Sequence, residues 1–473
     1  MAEIRKRTKP LAVNPLKTSQ PMGASLALLG VNGALPILHG AQGCTAFAKV
    51  FFVRHFREPI PLQSTAMDQV SSIMGADDNI VAALKSVCEK AKPAALGLFT
   101  TSLAEVEGAD IHRVIKRFRS RCPEHQGVRL VAVNTPDFDG CLETGYAAAV
   151  RAMVDGWVPA AQPGRPGRSS RQVNVLAGSL LTPGDLEALK ELIISFGLYP
   201  VVIPDLADSL DGHLAAADFS PITTGGAPVA AFAALGDAAA TLVIGASLSA
   251  AADLLRERTG VPDYRFDHLL GLEATDALIM TLGGIAGAPV PPRLERQRAQ
   301  LQDAMLDTHF LLGQSRCAIA GDPDLLNAFS HLLGETGVEI VAAVAPSRAP
   351  VLERVPVAEV QIGDLEDLEN LARQHDAEFI ISNSHAAETA QRLNLPLLRA
   401  GFPLHDRIGA YQRTWIGYQG ARQALFDLAN LLLSHDQHEI APYHAFYSAK
   451  SDFLREAPHH ELAAASADCG QRH

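Results

Sequence analysis

Cysteine is scarce in this 473-residue chain, and the paired spacings that build common metal sites are absent. The chain has 6 cysteines, they are far apart, and no two form a Cys-x-x-Cys pair. So low a count is typical of a reducing compartment, where disulfides are rare. The sequence therefore excludes a zinc ribbon, a ferredoxin-type cluster run and a thioredoxin motif built from this chain alone.

Motifs for nucleotide binding and hydrolysis are also missing. There is no GxxxxGK[ST] and no GxGxxG after a predicted strand, so ATP and NAD lack their usual phosphate-binding loops. HExxH and GxSxG are absent as well, which argues against ordinary hydrolases.

Excess basic charge and long apolar runs are lacking too. Lys and Arg total 40 against 52 Asp and Glu, a net charge of −12, so nucleic acid is not an expected partner. The longest uncharged stretch, Thr18–Ala48, is broken by glycines and prolines and does not suit a membrane span. The basic start leads into a proline-interrupted segment, which is unlike a secretory signal. We expect a cytoplasmic protein without membrane contact.

The length favours about three domains at ~150 residues each. Pro, Gly, Ser and Arg replace the apolar periodicity over Pro159–Gln172, which predicts a linker. We predict domains at residues 1–158, 173–292 and 293–440, followed by a tail at 441–473.

Short apolar runs and helical periods alternate in all three segments, which predicts parallel strands joined by crossover helices. The predicted strands are Ala94–Phe99, Arg129–Val133, Val173–Ala177, Tyr199–Ile203, Thr241–Gly245, Cys317–Ala320, Glu339–Val344, Phe379–Ser382 and Leu395–Leu398. The predicted helices are Asn79–Lys90, Pro183–Phe196, Ser249–Arg258, Arg293–Leu312, Pro323–Glu335 and Gly417–Ser434. We therefore expect an α/β fold of three Rossmann-like domains, with parallel sheets flanked by helices.

Cys44 is the most suggestive single residue. The turn before it leads to the start of an apolar segment, Thr45–Phe56, that is predicted to be helical. A helix N-terminus favours the thiolate, the form that ligates iron or zinc. The basic residues close enough in sequence to offset the charge of an anionic cluster are Arg54, His55 and Arg57. The alternative is a small buried thiol that serves packing alone.

The other cysteines are weaker ligand candidates. Cys88 lies on the apolar stripe of its helix and is predicted to be core, and Cys317 begins a buried strand. Cys122 sits in a charged loop, so a solvated position is expected. Cys141 follows the end of a strand, where parallel sheets present ligands. Its sequence position fits equally a supporting role near a site and simple packing. Cys469 lies in the tail.

Two other polar features have structural explanations. Ser102 opens the sequence Ser-Leu-Ala-Glu, which predicts a capping box with Glu105. A tail without predicted helices or strands offers no fixed ligand geometry. The histidines that follow the last predicted helix are His435, His438, His444, His459, His460 and His473.

Several motifs together resemble the nitrogenase component-1 superfamily. They are Gly43–Phe47 with Arg54–Pro59, Thr100–Glu105, Asp406–Gly409 and Gly417-Tyr418. Within that superfamily, Gly43–Gly75 and Asn134–Phe138 resemble the β-type subunits of the scaffold on which the nitrogenase iron–molybdenum cofactor matures. The resemblance implies that superfamily's fold and a scaffold subunit without catalytic residues of its own.

The chain departs from the catalytic β subunits of that family at their cysteine ligands. Leu62 and Ser102 stand where those subunits have cysteines, and neither side chain readily replaces a thiolate. Cys44 alone remains of the three, and Cys141 stands where that family has a serine ligand. The resemblance thus implies no eight-iron cluster, and it makes Cys44 the one metal-binding and cofactor-binding residue.

A four-iron, four-sulfur cluster needs four ligands, usually thiolates, so a partner must supply those that this chain lacks. The resemblance implies that NifE brings three cysteines and that two copies of each subunit assemble, with a shared cluster at each interface. It also implies transient contact with the iron protein NifH, with a precursor made by NifB, and with the catalytic nitrogenase component. The precursor would be held mainly by NifE.

Two alternatives stay open from the sequence. One is a cluster-sharing subunit of a reductase, such as an alternative nitrogenase or a protochlorophyllide-reductase-like B chain. The other is a substrate-binding protein of three Rossmann-like units that carries no cluster.

Overall fold

Parallel strands in three separate sheets form the framework of the chain. This computed structural model describes residues 1–7, 9–160, 171–214 and 219–436. The strands of these residues are β1 (Glu3–Arg5), β2 (Ala34–His39), β3 (Gln63–Ser64), β4 (Ala95–Thr100), β5 (Arg129–Val133), β6 (Gln172–Ala177), β7 (Tyr199–Ile203), β8 (Ala240–Ile244), β9 (Asp263–Phe266), β10 (Arg316–Ala320), β11 (Glu339–Ala345), β12 (Glu359–Ile362), β13 (Phe379–Ser382) and β14 (Leu397–Arg399). The sheet orders are β3-β2-β4-β5, β7-β6-β8-β9 and β1-β12-β11-β10-β13-β14.

Helices connect these strands and pack against the sheets. The helices of the described residues are α1 (Gln20–Leu29), α2 (Gln42–Phe56), α3 (Ser71–Met74), α4 (Asp77–Ala91), α5 (Ser102–Glu107), α6 (Ile111–Arg121), α7 (Leu142–Trp157), α8 (Pro183–Ser195), α9 (Leu206–Ser209), α10 (Val229–Ala234), α11 (Ser249–Thr259), α12 (Gly271–Ala286), α13 (Pro292–Leu312), α14 (Pro323–Glu335), α15 (Leu365–Gln374), α16 (Ala387–Leu393) and α17 (Gly417–Asp436). No helix in these ranges is both long and apolar enough to cross a bilayer.

The predicted α/β fold with parallel sheets flanked by helices is confirmed. Each predicted strand and helix is present, with its ends within two residues of the expected positions, except that the helix predicted over Thr45–Phe56 begins three residues earlier, at Gln42. The three sheets fall in the three predicted segments, except that β1 pairs with β12 in the third sheet. Residues 1–433 form one compact unit. The domain boundaries stay predictions, and residues 161–170 of the linker and 437–473 lie outside the described residues.

Apolar runs explain the central strands, and capping residues explain where the helices begin. All six residues of β4 are buried, as expected of a strand covered on both faces. At the start of α8, the Thr182 hydroxyl accepts from the Asp185 amide at 3.0 Å, and the Asp185 carboxylate accepts from the Thr182 amide at 3.0 Å. Pro183 occupies the first helical position, where its missing N–H costs nothing. The predicted N-cap is confirmed.

Asp185 also ties α8 to the segment that leads into α17. Its buried carboxylate accepts from the Trp415 amide at 2.6 Å and from the Ile416 amide at 3.1 Å. One side chain therefore satisfies main-chain donors from two distant parts of the chain.

The beginnings of α1 and α7 pack backbone against backbone. A Cβ atom at Gly23 would lie 1.8 Å from the Leu142 carbonyl oxygen, and one at Gly145 would lie 2.0 Å from the Gln20 carbonyl oxygen. Only glycine permits this approach. Because α1 is buried along its whole length, this contact lies deep in the first part of the fold.

Replacing Asp185 with alanine is expected to lower the free energy of unfolding by about 3 kcal/mol, because the amides of Thr182, Trp415 and Ile416 lose their acceptor. Urea unfolding measures this change. Glu187→Ala, an exposed substitution on the same helix, serves as the control and should alter stability by less than about 0.5 kcal/mol. Equal losses in the two variants would contradict the anchoring role of Asp185.

Candidate functional site

Cys44 lies in the first turn of α2, just after the turn that follows β2. The main chain of Gly40 passes so close to Thr101 that a Cβ atom there would lie 2.3 Å from the threonine hydroxyl oxygen. Ala41 is the N-cap of α2, and its carbonyl accepts from the Cys44 amide at 3.2 Å. Of the five cysteines among the described residues, Cys44 alone is exposed.

The Cys44 side chain lines an open cavity of about 550 Å³. From α2, the cavity is lined by Cys44, Phe47, Ala48 and Phe51, which recur at helical spacing and so share one face. Other side chains on the wall come from distant segments: Lys17, Thr18, Ser19, Pro21, Met22, Leu38, Thr101, Asp137 and His385. The cavity therefore combines a thiol, aromatic rings and two charged side chains.

The sequence predicted that the helix N-terminus would favour the Cys44 thiolate, and the structure corrects this. Although the residue is exposed, partial loss of solvent around its thiol and the negative charge of Asp137 raise the pKa of Cys44 above its usual value, and the hydrogen bond from the main chain only partly offsets them. The thiol therefore keeps its proton until a metal or another cation displaces it.

The predicted basic neighbours of Cys44 are also corrected. Arg54 and Arg57 lie ten or more residues further along α2, which separates them from Cys44 by ~15 Å or more along the axis. His55 is buried, its Nδ1 accepts from the Leu404 amide at 2.9 Å, and burial lowers the pKa of His55 to about 3. It therefore carries no charge near neutral pH.

Ser102 and Glu105 do not form the predicted capping box. Thr101 is the N-cap of α5 and makes no side-chain cap bond. The Ser102 hydroxyl instead accepts from the Asp137 amide at 3.0 Å, and the Glu105 carboxylate accepts from the Asn134 side chain at 2.8 Å. The prediction was wrong because a neighbouring loop supplies better partners than the local helix start.

Two side chains at the start of α1, Lys17 just before the helix and Gln20 as its first residue, hold the same loop. Lys17 donates from Nζ to the Asp137 carbonyl oxygen and, at 3.4 Å, to that of Asp139. The Gln20 side-chain amide donates to the carbonyl oxygens of Pro136 at 3.0 Å and Asp139 at 2.8 Å. The loop at residues 134–139 is thus fixed against the Cys44 cavity.

Cys141 is fully buried beside carboxyl groups and does not line the Cys44 cavity. The Ser347 hydroxyl donates to its thiol at 3.2 Å. Burial and the charges of Asp322 and Glu143 raise the pKa of Cys141. The Asp324 amide donates to the Glu143 carboxylate at 2.8 Å, and a separate cavity of about 20 Å³ touches Glu143 and Asp322. Cys141 therefore packs in the interior.

These buried carboxyl groups resist ionisation. Burial raises the pKa of Asp322 to about 7 and that of Asp324 to about 6. Burial and the charge of Asp324 raise the pKa of Glu143 well above its usual value. The three groups therefore keep their protons to higher pH in the folded chain than in the unfolded chain.

The remaining cysteines are structural. Cys88 lies in the apolar core, which confirms its prediction, and Cys317 is buried in β10. Cys122 was predicted to be solvated, but it is 4% exposed and packs in the same core cluster as Cys88. It ends α6, and its amide donates to the Phe118 carbonyl at 2.9 Å, which turns the thiol inward. Leu62 is also buried.

In the part of the chain that the structure describes, no three or more His, Cys, Asp and Glu side chains are grouped so that they could hold a metal ion. Cys469 and the tail histidines other than His435 lie outside the described residues.

Lys17, Asp137 and His385 are cavity residues that sequence reasoning missed as site candidates. Asp137 falls within the Asn134–Phe138 motif, which is the one signal that pointed to this loop. Lys17 precedes Cys44 by 27 positions and His385 follows it by 341, so no spacing rule joins them.

Comparison with known proteins defines the class. The chain belongs to the nitrogenase component 1 type oxidoreductase family, whose model matches residues 19–433. A solved structure described as "Nitrogenase Cp1 at pH 6.5" has a TM-score of 0.85 and 28% identity, and the alignment covers 92% of this chain and 96% of that one. A chain described as "Nitrogenase Cp1 at pH 5" has a TM-score of 0.63 at 14% identity and shares the fold alone.

Within this family, the chain is similar to a particular group of curated proteins. The chain is 48% identical to the nitrogenase iron-molybdenum cofactor biosynthesis protein NifN of Klebsiella pneumoniae, over 94% of this chain and 95% of that protein. It is 46% identical to the NifN of Nostoc sp., over 93% and 97%, and 43% identical to that of Bradyrhizobium diazoefficiens, over 93% and 94%. The family resemblance predicted from motifs is confirmed.

Asp322→Asn is expected to become more stable relative to the wild type as the pH rises from about 4 to 7. The folded-state pKa of Asp322 lies above its ordinary value of 3.8, so the folded wild type binds a proton that the unfolded chain releases, and rising pH weakens the fold. Above pH 7 the gain should be on the order of 4 kcal/mol.

Urea unfolding of both proteins across this pH range measures the difference, and subtracting the wild type removes the contribution of other titrating groups. Asp253→Asn is the control, because that carboxyl is exposed and ion pairs lower its pKa. A stability difference that stays constant from pH 4 to 8 would contradict the raised pKa of Asp322.

Proposed function

We propose that this chain is a scaffold subunit in the biosynthesis of the iron–molybdenum cofactor of nitrogenase. In this proposal it contributes one ligand, the Cys44 thiolate, to a four-iron, four-sulfur cluster shared with a partner subunit. The observation that carries the proposal is the exposed Cys44 thiol beside a large cavity, at the edge of an uncovered apolar surface. The NifN relatives support the same pathway.

The donor chemistry fits a shared cluster. Cluster iron is usually bound by four thiolates. Among the described residues, Cys44 is exposed while Cys88, Cys122, Cys141 and Cys317 are buried. A cluster at Cys44 would therefore take its other thiolates from another chain.

The surface around Cys44 suits such a partner. Phe47, Val50 and Val53 project from α2 and are 71%, 52% and 41% exposed. α3 and α5 contact each other in the same N-terminal part of the chain. Exposed apolar side chains on them or at the N-cap of α3 are Val70, Ile73, Met74, Leu103 and Val106. Exposed apolar groups concentrated in this way mark interaction surfaces.

We assign this surface to an α-type subunit, NifE, in an assembly of two copies of each chain. The precursor of the cofactor is held mainly by NifE in this proposal. NifH, the supply of precursor made by NifB, and the catalytic nitrogenase component are its transient partners.

In this proposal three of the cavity side chains have specific roles. Cys44 would hold one iron after its thiol proton leaves, and metal binding supplies the free energy for that step because burial opposes ionisation. Phe47 and Phe51 would exclude water from the covered cavity. When bound, the cluster supplies one-electron transfer.

Cys44→Ala is expected to remove or alter the cluster signal of the assembled complex, because alanine offers no ligand. The test is anaerobic co-expression with NifE, followed by iron analysis and electron paramagnetic resonance of the reduced complex. Cys122→Ala removes a buried thiol far from the cavity and should keep both iron and signal.

Unchanged iron and signal in Cys44→Ala would make Cys44 a packing residue and refute the ligand assignment. Substantial reduction of acetylene or protochlorophyllide by the wild-type complex would favour a reductase instead of a scaffold.

Phe47→Asp is expected to weaken subunit association at least tenfold, because it places a charge in the surface assigned to the partner. Co-purification and light scattering measure the association. Ile194→Asp changes a similarly exposed apolar residue on α8 and should leave association intact. Equal effects of the two variants would count against the assigned surface.

A further inference from the structure

We infer that Lys17 and Asp137 tune the iron–sulfur cluster at Cys44, with opposite effects on its reduction potential. The inference rests on the proposed function, since it needs the cluster. It concerns two side chains that line the same cavity as Cys44 and carry charges of opposite sign.

Lys17 supplies a cation on the cavity wall. Its Nζ donates to the main-chain carbonyl oxygens of Asp137 and Asp139. Within the ranges that the structure describes, the ion pairs at 4.0 Å or less do not include Lys17. Burial lowers the pKa of Lys17, and the charges of Cys141, Asp137 and Asp139 partly offset this. Its charge is therefore held in place by carbonyl dipoles and is not cancelled by a carboxylate in direct contact.

Asp137 supplies the opposing charge. Its main chain is fixed by Lys17 and by Ser102, which holds the residue at the cavity wall. Its Oδ1 is buried without a hydrogen-bond partner. Burial raises the pKa of Asp137 above its usual value, and Ser102, Lys17 and Ser19 partly offset this by stabilising the carboxylate. The electrostatic effect of Asp137 reaches the Cys44 thiol directly.

A cluster with thiolate ligands becomes more negative when it gains an electron, and its potential depends on nearby charge and on exposure to solvent. The Lys17 ammonium therefore favours the reduced cluster, whereas the Asp137 carboxylate favours the oxidised one. A covered cavity strengthens both effects because water no longer screens them. The basic residues on the far turns of α2 are too distant to play this part.

The test measures the reduction potential of the cluster in the anaerobic complex with NifE, by titration followed with electron paramagnetic resonance. Lys17→Met should lower the ratio of reduced to oxidised cluster at a fixed potential by about tenfold, and Asp137→Asn should raise it by about tenfold. For a one-electron couple, tenfold corresponds to 59 mV. Lys17→Arg keeps the charge and should restore the wild-type potential.

Lys116→Met is the matched control, because it removes an exposed lysine of α6 outside the cavity and should leave the potential unchanged. Potentials of Lys17→Met and Asp137→Asn equal to that of the wild type, at full iron content, would overturn the inference and leave the proposed function intact. If Lys17→Met fails to assemble, the reduction potential of Asp137→Asn tests the inference by itself, since this substitution changes the charge while nearly preserving the shape of the side chain. A wild-type complex without a cluster would overturn the proposed function itself.

Discussion

The contact between the first turns of α1 and α7 is the constraint on which the surroundings of Cys44 depend. Because Gly23 and Gly145 carry no side chains, the two helices meet backbone to backbone. The residues at or just before the start of each helix are thereby brought together, so that Lys17 and Gln20 reach the carbonyl oxygens of the 134–139 loop. Larger residues at either glycine would part the helices and release that loop from the cavity.

The environment of Cys44 favours the protonated thiol until a metal binds. Burial and Asp137 oppose ionisation, and neighbouring arginines are too distant to promote it. A free thiolate at an exposed position would react with oxidants and stray metals. A raised pKa limits such reactions in the unpartnered chain, and cluster binding then overcomes it in the assembled complex.

Local patterns predicted the framework well because they depend on neighbouring residues. Apolar runs located the strands, and the Thr182 cap located the start of α8. The predictions that were wrong have a different cause, because the residues concerned contact partners from distant parts of the chain. Ser102 matched the pattern of a capping box, but its hydroxyl accepts a hydrogen bond from the Asp137 amide instead. Charged neighbours suggested a solvated Cys122, but this residue at the end of α6 packs in the core. Lys17 and His385 reach the cavity from remote segments, so only the folded chain reveals them.

The pairing of β1 with β12 also has a consequence for synthesis of the chain on the ribosome. Glu3, Ile4 and Arg5 pair with Glu359, Val360 and Gln361, and Lys9 forms ion pairs with Asp364 and Glu366 nearby. At 5 to 20 residues per second, translation takes roughly 20 to 70 s to reach these partners after β1 has been made. During that time β1 has no sheet to join.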